Sequence, residues 1–478
     1  MLLHVDTQFS IAQSCSPRQF ASEGSHTSDV YYPCTTTRHR LTAAMSITLL
    51  PTELIESIAI YLDIATSRSL RLVSSSLERQ SLHVFRDSFF RTRTIQWTKA
   101  SFDNLLQITA HPTFGAALHD LNIDATPRHS IALWQLRKRI SEAEAISSDP
   151  GGVLFKSEMQ EQYIADEKEA KDLTTFFNET RYDQKCLRTV FEKLGRLDSL
   201  KFAYKGMDKK YGKFGRRYCE SSQHEMSRPI VSAMAAIARS GIHIKCICLH
   251  PTLTHGAVSI GRLESLAPSL RYFDAAFEHL EILDLELRDW RYPDTGFELE
   301  STRAPFVVRF LAKARNVRHL KLGCYSSLDD DLFGDMARHC IFDKLETCTL
   351  KHFRLHNALD LPLFLQSCCS TLTSLSLRHI FLRDDSATWS SVFTQLACSD
   401  DILKNLETLY LAKLFLRSGA RVDFSEVNYD RQEQLFGAPG NRDLWRDELL
   451  CYGDGVLETT GPPWHLAAVA YPFMGMRT

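Results

Sequence analysis

Three stretches of the chain, LETCTLKHFRL from residue 345, LTSLSLRHIFL from 372 and LETLYLAKLFL from 406, follow one template, Leu-x-x-apolar-x-Leu-x-x-apolar-x-Leu. Residues 348 and 350, 375 and 377, and 409 and 411 alternate with period two, which predicts a short strand with one buried face in each. Looser copies occur at Leu280, Leu283, Leu285 and at Val317, Leu320, Leu322, so the five starts are separated by 37, 28, 27 and 34 residues. Weaker copies lie upstream at Leu118, Leu121, Ile123, at Leu197, Leu200, Phe202 and at Ile244, Ile247, Leu249, extending the pattern over residues 114 to 416. Such self-similarity is the signature of a solenoid. Between the strands, apolar residues fall at helical spacing: Phe306, Val307, Phe310 and Leu311; Leu332, Phe333 and Met336; Leu363, Phe364 and Cys368; Trp389, Val392, Phe393 and Leu396. A strand followed by a helix, repeated, predicts an α/β fold with parallel strands on an inner curve and helices outside.

Residues 50 to 86 have a different pattern. Leu50 and Pro51 precede a helix start at which Pro presets φ, and Thr52 and Glu53 suit the positive end of the dipole. Leu54, Ile55, Ile58 and Leu62 form one apolar stripe with Tyr61 beside it, and Leu70, Leu72, Val73 and Leu77 supply a second patch. These helices are too short to bury themselves alone, which predicts a docking module. The alternative is an amphipathic helix covered by its own domain.

The segment resembles an F-box on Leu50, Pro51, Glu53 and Leu54, then Ile58, Tyr61, Leu62 and Asp63, then Leu70 to Ser74. It departs from that pattern at Ala65 to Arg68, where the family has an apolar residue, and at Ser76 and Leu77, where an aromatic often stands. The later repeats resemble irregular leucine-rich repeats, with Phe353, Ile380 and Leu414 in place of the family's turn Asn or Cys, so apolar packing is expected to hold those turns. The order of elements is similar to that of a group of fungal F-box proteins. The resemblance implies a short all-α docking motif followed by a curved leucine-rich-repeat-like solenoid. It further implies contact of Leu50, Pro51, Leu54, Ile55, Ile58, Leu62, Leu70 and Val73 with a Skp adaptor, itself bound to a cullin scaffold.

The expected organisation is a disordered arm over 1–44, the docking motif over 45–100, the repeats over 101–417 with a charged helical insertion at about 128–185, and a cap or loose tail over 418–478. The insertion contains KSEMQEQYIADEKEAKD, which reads as a solvated helix. With 56 Lys and Arg against 58 Asp and Glu, the net charge favours neither a general nucleic-acid binder nor an acidic tail. Thirteen Cys without a framework, and no secretory signal, point to a reducing compartment, cytoplasmic or nuclear. No apolar run approaches the roughly 18 residues needed to span a bilayer.

If alternate strand residues face inward, Asp284, Glu286, His319, Lys321, Lys351, Arg378 and Tyr410 belong to a mixed polar face suited to a protein target. A solvated face without a ligand is the competing reading. Lys209, Lys210, Lys213, Arg216 and Arg217, interleaved with Phe202, Tyr204, Tyr211 and Phe214, form a candidate basic patch for nucleic acid or an acidic peptide, or a plain basic loop. Walker, nucleophile-elbow, paired CxxC and HExxH motifs are absent, and no cofactor or metal is expected. Cys246 with Cys248, and Cys368 with Cys369, read as core thiols too closely spaced for tetrahedral zinc. The resulting expectation is a non-catalytic, substrate-recognising subunit of a Skp/cullin/F-box ubiquitin ligase. The alternatives are a repeat scaffold that binds the adaptor without ubiquitination, or a basic-patch nucleic-acid binder.

Overall fold

The computed structural model describes residues 47–146, 150–205, 220–249, 257–288, 304–325, 331–384, 387–398, 405–419, 421–422, 433–436 and 458–459. The expected arm and all five basic-patch residues lie outside them, as does most of the expected tail. The chain divides into two compact units, Met1–Leu50 and Pro51–Thr478. In the first, the described residues form a single 3₁₀ turn, Ile47–Leu49, followed by a half-buried Leu50.

The second unit begins with three helices, α1 (Thr52–Ala59), α2 (Ile64–Val73) and α3 (Ser75–Phe90). Asp63 and Ser74 begin α2 and α3 by accepting hydrogen bonds from the Thr66 and Leu77 amides, which satisfies donors that a helix start leaves open. The longest of the three, α3, packs on both others and buries Leu77, Val84 and Phe85. Arg71 of α2 lays its guanidinium 4.2 Å from the Phe85 ring centroid and pairs with Glu78 at 3.4 Å. Phe90 stacks on Phe114 at 4.2 Å, tying α3 to the short helix Pro112–Gly115.

The main sheet follows. Strands β1 (Thr92–Gln96), β2 (Asp120–Asp124), β3 (Arg196–Ala203) and β4 (His243–Leu249) pair in parallel, each with the next. After the two-residue β5 (Val258–Ser259) on the edge of the next strand, β6 (Ile282–Arg288), β7 (His319–Tyr325) and β8 (Thr347–Lys351) continue the sheet in parallel. Beyond the two-residue β9 (Arg354–Leu355), β10 (Ser374–Arg378) pairs with β8. Past β11 (Phe381–Leu382), β12 (Thr408–Ala412) pairs with β10. An antiparallel strand, Glu433–Phe436, closes on β12 within the expected cap. The strand order therefore follows chain order. Parallel crossovers of one hand, always stepping the same way, bring their helices to one face of a sheet.

That face holds the core. All three apolar positions of every repeat, from Leu118, Leu121 and Ile123 to Leu406, Leu409 and Leu411, are buried. They pack with Phe310, Met336, Phe364 and Val392 from the intervening helices. A backbone device repeats at the ends of β8, β10 and β12: His352, His379 and Lys413 take left-handed φ values of 59°, 54° and 55°. The chain then re-pairs in parallel through β9 and β11, with Phe381 N donating to Phe353 O at 2.9 Å and Arg383 N to Leu355 O at 2.7 Å. Phe353, Ile380 and Leu414 are buried beneath this second ladder, so apolar packing and backbone pairing hold the turns together.

Between β2 and β3 stand two long helices, α4 (Arg128–Ile146) and α5 (Pro150–Thr180), packed on each other. Most of residues 157–172 in α5 are exposed, as the charged pattern predicts. The insertion ends earlier than expected, because the helix Tyr182–Leu194 already belongs to the core through Cys186, Leu187, Val190 and Phe191. It also buries Asp183 completely; Arg228 donates to that carboxylate at 2.8 Å and Ser232 at 2.9 Å. No described helix is long and apolar enough to cross a membrane.

Candidate functional site

Two surfaces carry chemistry. The first is the outer side of α1 and α2. Leu54 is 50% exposed and Ile58 42%, although both sit in an apolar stripe, and Tyr61, Leu72 and Val73 are more exposed still. Single surface apolar residues are ordinary; here these five large ones are exposed on or beside two short helices. Ile55 departs from expectation: it is 1% exposed and, with Ala59, forms the side of α1 turned into the protein, so it supports the helix and is closed to a partner. Pro51 is exposed, and Leu62 and Leu70 are half-buried. The exposed residues of the expected set are therefore Pro51, Leu54, Ile58 and Val73, with Tyr61 and Leu72 exposed besides, whereas Ile55 is buried.

The second surface is the sheet face opposite the core. Parallel register lines its side chains up in rows. One row runs Ile282, His319, Thr347, Ser374, Thr408; the next runs Asp284, Lys321, Thr349, Ser376, Tyr410. A third runs Glu286, Gly323, Lys351, Arg378, Ala412. The Lys321 ammonium donates to Asp284, Lys351 approaches Glu286 at 3.5 Å, and the Arg378 guanidinium lies 4.3 Å from the Tyr410 ring centroid. The seven predicted residues thus do share one face.

Glu286 differs from expectation in depth. Its side chain is 2% exposed, so it underlies the surface instead of presenting to solvent. The seat exists because Gly323 stands across from it: a Cβ there would lie 1.8 Å from Glu286 Oε2. Burial pushes the Glu286 carboxyl up to about 6 against the attraction of Lys351, and burial likewise raises Asp284 despite the hydrogen bond from Lys321. Glu286 Oε2 and Asp284 Oδ1 have no hydrogen-bond partner among the described residues.

Two further expectations need correction. Phe202 and Tyr204, read as rings of the basic patch, are core residues exposed by 1% and 2%; Tyr204 donates its hydroxyl to the Met226 carbonyl. Of Cys246 and Cys248, read as core thiols, Cys246 is buried and Cys248 half-buried, but in register both stand in the polar rows, with Cys248 beside Lys201 on β3 and Asp284 on β6. Comparison with protein-family models and with curated proteins finds no match to the chain.

Proposed function

We propose that the chain is the target-binding subunit of a Skp/cullin/F-box ubiquitin ligase, with α1 and α2 as its adaptor-binding element and the polar sheet face as its target-binding element. The carrying observation is the exposure of Leu54 and Ile58 on a helix whose adjoining side, Ile55 and Ala59, is anchored in the protein. Covering one such side chain fully is worth about 1.5–3 kcal/mol, so the half left open on each of several residues offers a partner several kcal/mol before association entropy is charged. The fold is read as a leucine-rich-repeat-like solenoid. Eight copies of one apolar template and a strand order without reversal support that reading. Along β1 to β12 the order never reverses, so the crevice in which doubly wound sheets bind small ligands has no counterpart there. A broad polar face with lysines, an arginine and a tyrosine suits a protein epitope. The mechanism is proximity: tethering raises the target's local concentration near the ubiquitin carrier, and the transfer chemistry belongs to other subunits.

Purified full-length chain is mixed with Skp adaptor and with adaptor–cullin complex. Tight capture is expected, and Leu54→Asp with Ile58→Asp should weaken it more than 100-fold while the melting curve stays unchanged. Equal capture by wild type and variant refutes the docking face. Capture of adaptor with exclusion of cullin refutes ligase membership and favours a scaffold.

A further inference from the structure

β4 carries two thiols on the polar face of the sheet, Cys246 and Cys248, whose sulfurs lie 3.2 Å apart. They are two residues apart on a strand hydrogen-bonded along both edges, to β3 and to β6. At a rise of about 3.3 Å per residue their Cα atoms are about 6.6 Å apart, near the upper end of what a disulfide spans. The rotamers nevertheless bring the sulfurs together, which favours one atom bridging them over a direct bond. The geometry points to Cys246 and Cys248 as a dithiol site that chelates a soft, thiophilic centre of the trivalent-metalloid class.

The bite distance selects that class. Two sulfurs on tetrahedral zinc, each at about 2.3 Å from the metal, stand about 3.8 Å apart, whereas bonds of that length meeting near a right angle need about 3.3 Å. Among the described residues, no group of three or more His, Cys, Asp or Glu is arranged to hold a metal ion, so a closed zinc shell lacks its other ligands. The electrostatics supply a nucleophile. The hydrogen bond between the two sulfurs, with Lys201 nearby, lowers the Cys246 thiol against the effect of burial, while the same contact raises Cys248. Burial pushes Cys340 and Cys368 to about 12, leaving those core thiols inert by comparison. With an arsenoxide, R–As=O, the two S–H bonds break, two As–S bonds form, and the oxide oxygen departs with both protons as one water. Arsenic remains trivalent, so no oxidant or reductant is required. The inference does not depend on the ligase reading.

Trypsin releases residues 246–262 as one peptide, between Lys245 and Arg262, that contains both thiols and no other cysteine. Native full-length protein is treated with one equivalent of phenylarsine oxide, washed with excess glutathione, alkylated with iodoacetamide and digested. Peptide 246–262 should be protected from alkylation, and a dithiol such as 2,3-dimercaptopropanol should reverse the protection. Cys246→Ser and Cys248→Ser should each lower retention at least 100-fold, because the second bond forms intramolecularly at millimolar effective concentration. Wild-type protection needs no variant, so it decides the question even if a serine variant misfolds. Alkylation of the peptide at the same rate with and without the arsenical overturns the site, as does retention within threefold of wild type in a folded single variant. Equal protection by Zn²⁺ at the same concentration overturns the metalloid assignment.

Discussion

Glu286 is the group whose titration the fold perturbs in a way that solution measurements can read. Its carboxyl moves from 4.5 to about 6 because burial outweighs the attraction of Lys351. At about 1.4 kcal/mol per pH unit, the shift corresponds to about 2 kcal/mol. The sign follows from proton counting: between pH 4.5 and about 6 the folded state binds more protons than the unfolded state. Stability therefore falls as pH rises through that window. The penalty is absent below it and complete above it. Glu286→Gln stays neutral throughout, while Asp284, Lys321 and Lys351 around it are unchanged. The variant should exceed wild type by about 2 kcal/mol at pH 7.5 and match it near pH 4. Urea unfolding of both proteins at intervals of half a pH unit measures the difference. A variant less stable than wild type at pH 7.5, or a difference that does not change with pH, refutes the argument that burial dominates.

Gly323→Ala should expel the Glu286 carboxylate from its seat, since the new Cβ would overlap Oε2, and the pH-dependent gap between Glu and Gln at 286 should flatten in that background. Asp183→Ala should cost about 3–5 kcal/mol in urea unfolding, because Arg228, only 12% exposed, loses its counter-charge in the interior. Ile55→Ala should destabilise the helical segment by about 2–5 kcal/mol, while Leu54→Ala next to it stays within about 1 kcal/mol of wild type. Limited proteolysis between residues 50 and 90 distinguishes the two; equal sensitivity would contradict the assignment of sides on α1.

The strands announced themselves where a Leu-x-x-Leu-x-Leu run forces one face inward, and the intervening helices followed from phenylalanine and leucine at helical spacing. β1 escaped notice because TRTIQ buries a single apolar side chain, Ile95, and periodicity needs at least two. On α1 four apolar residues follow one another too closely for spacing to say which side turns inward. The small Ala59 beside Ile55 was the available clue, since a close helix contact favours a small residue. Nothing in the sequence around Asp183 singles it out as a buried charge. Its partners Arg228 and Ser232 lie more than forty residues away in sequence, so no local pattern discloses that they meet. Cys246 and Cys248 alternate with Ile247 and Leu249, and that alternation places them on the side of the strand away from those two core residues, which burial of a thiol alone does not reveal. The depth of Glu286 depends on Gly323 in the next strand, which becomes evident once the register is known.

The two helices inserted between β2 and β3 show how loosely the spacing of these strands is constrained. Ser199 still meets Asp120 in register across 79 residues, whereas Thr373 meets Glu346 across 27. Closure entropy grows only with the logarithm of length, so the longer path costs about 1 kcal/mol more. A fluorescent or enzymatic cassette grafted at the junction of α4 and α5 should therefore report on the molecule while the sheet assembles beneath it undisturbed.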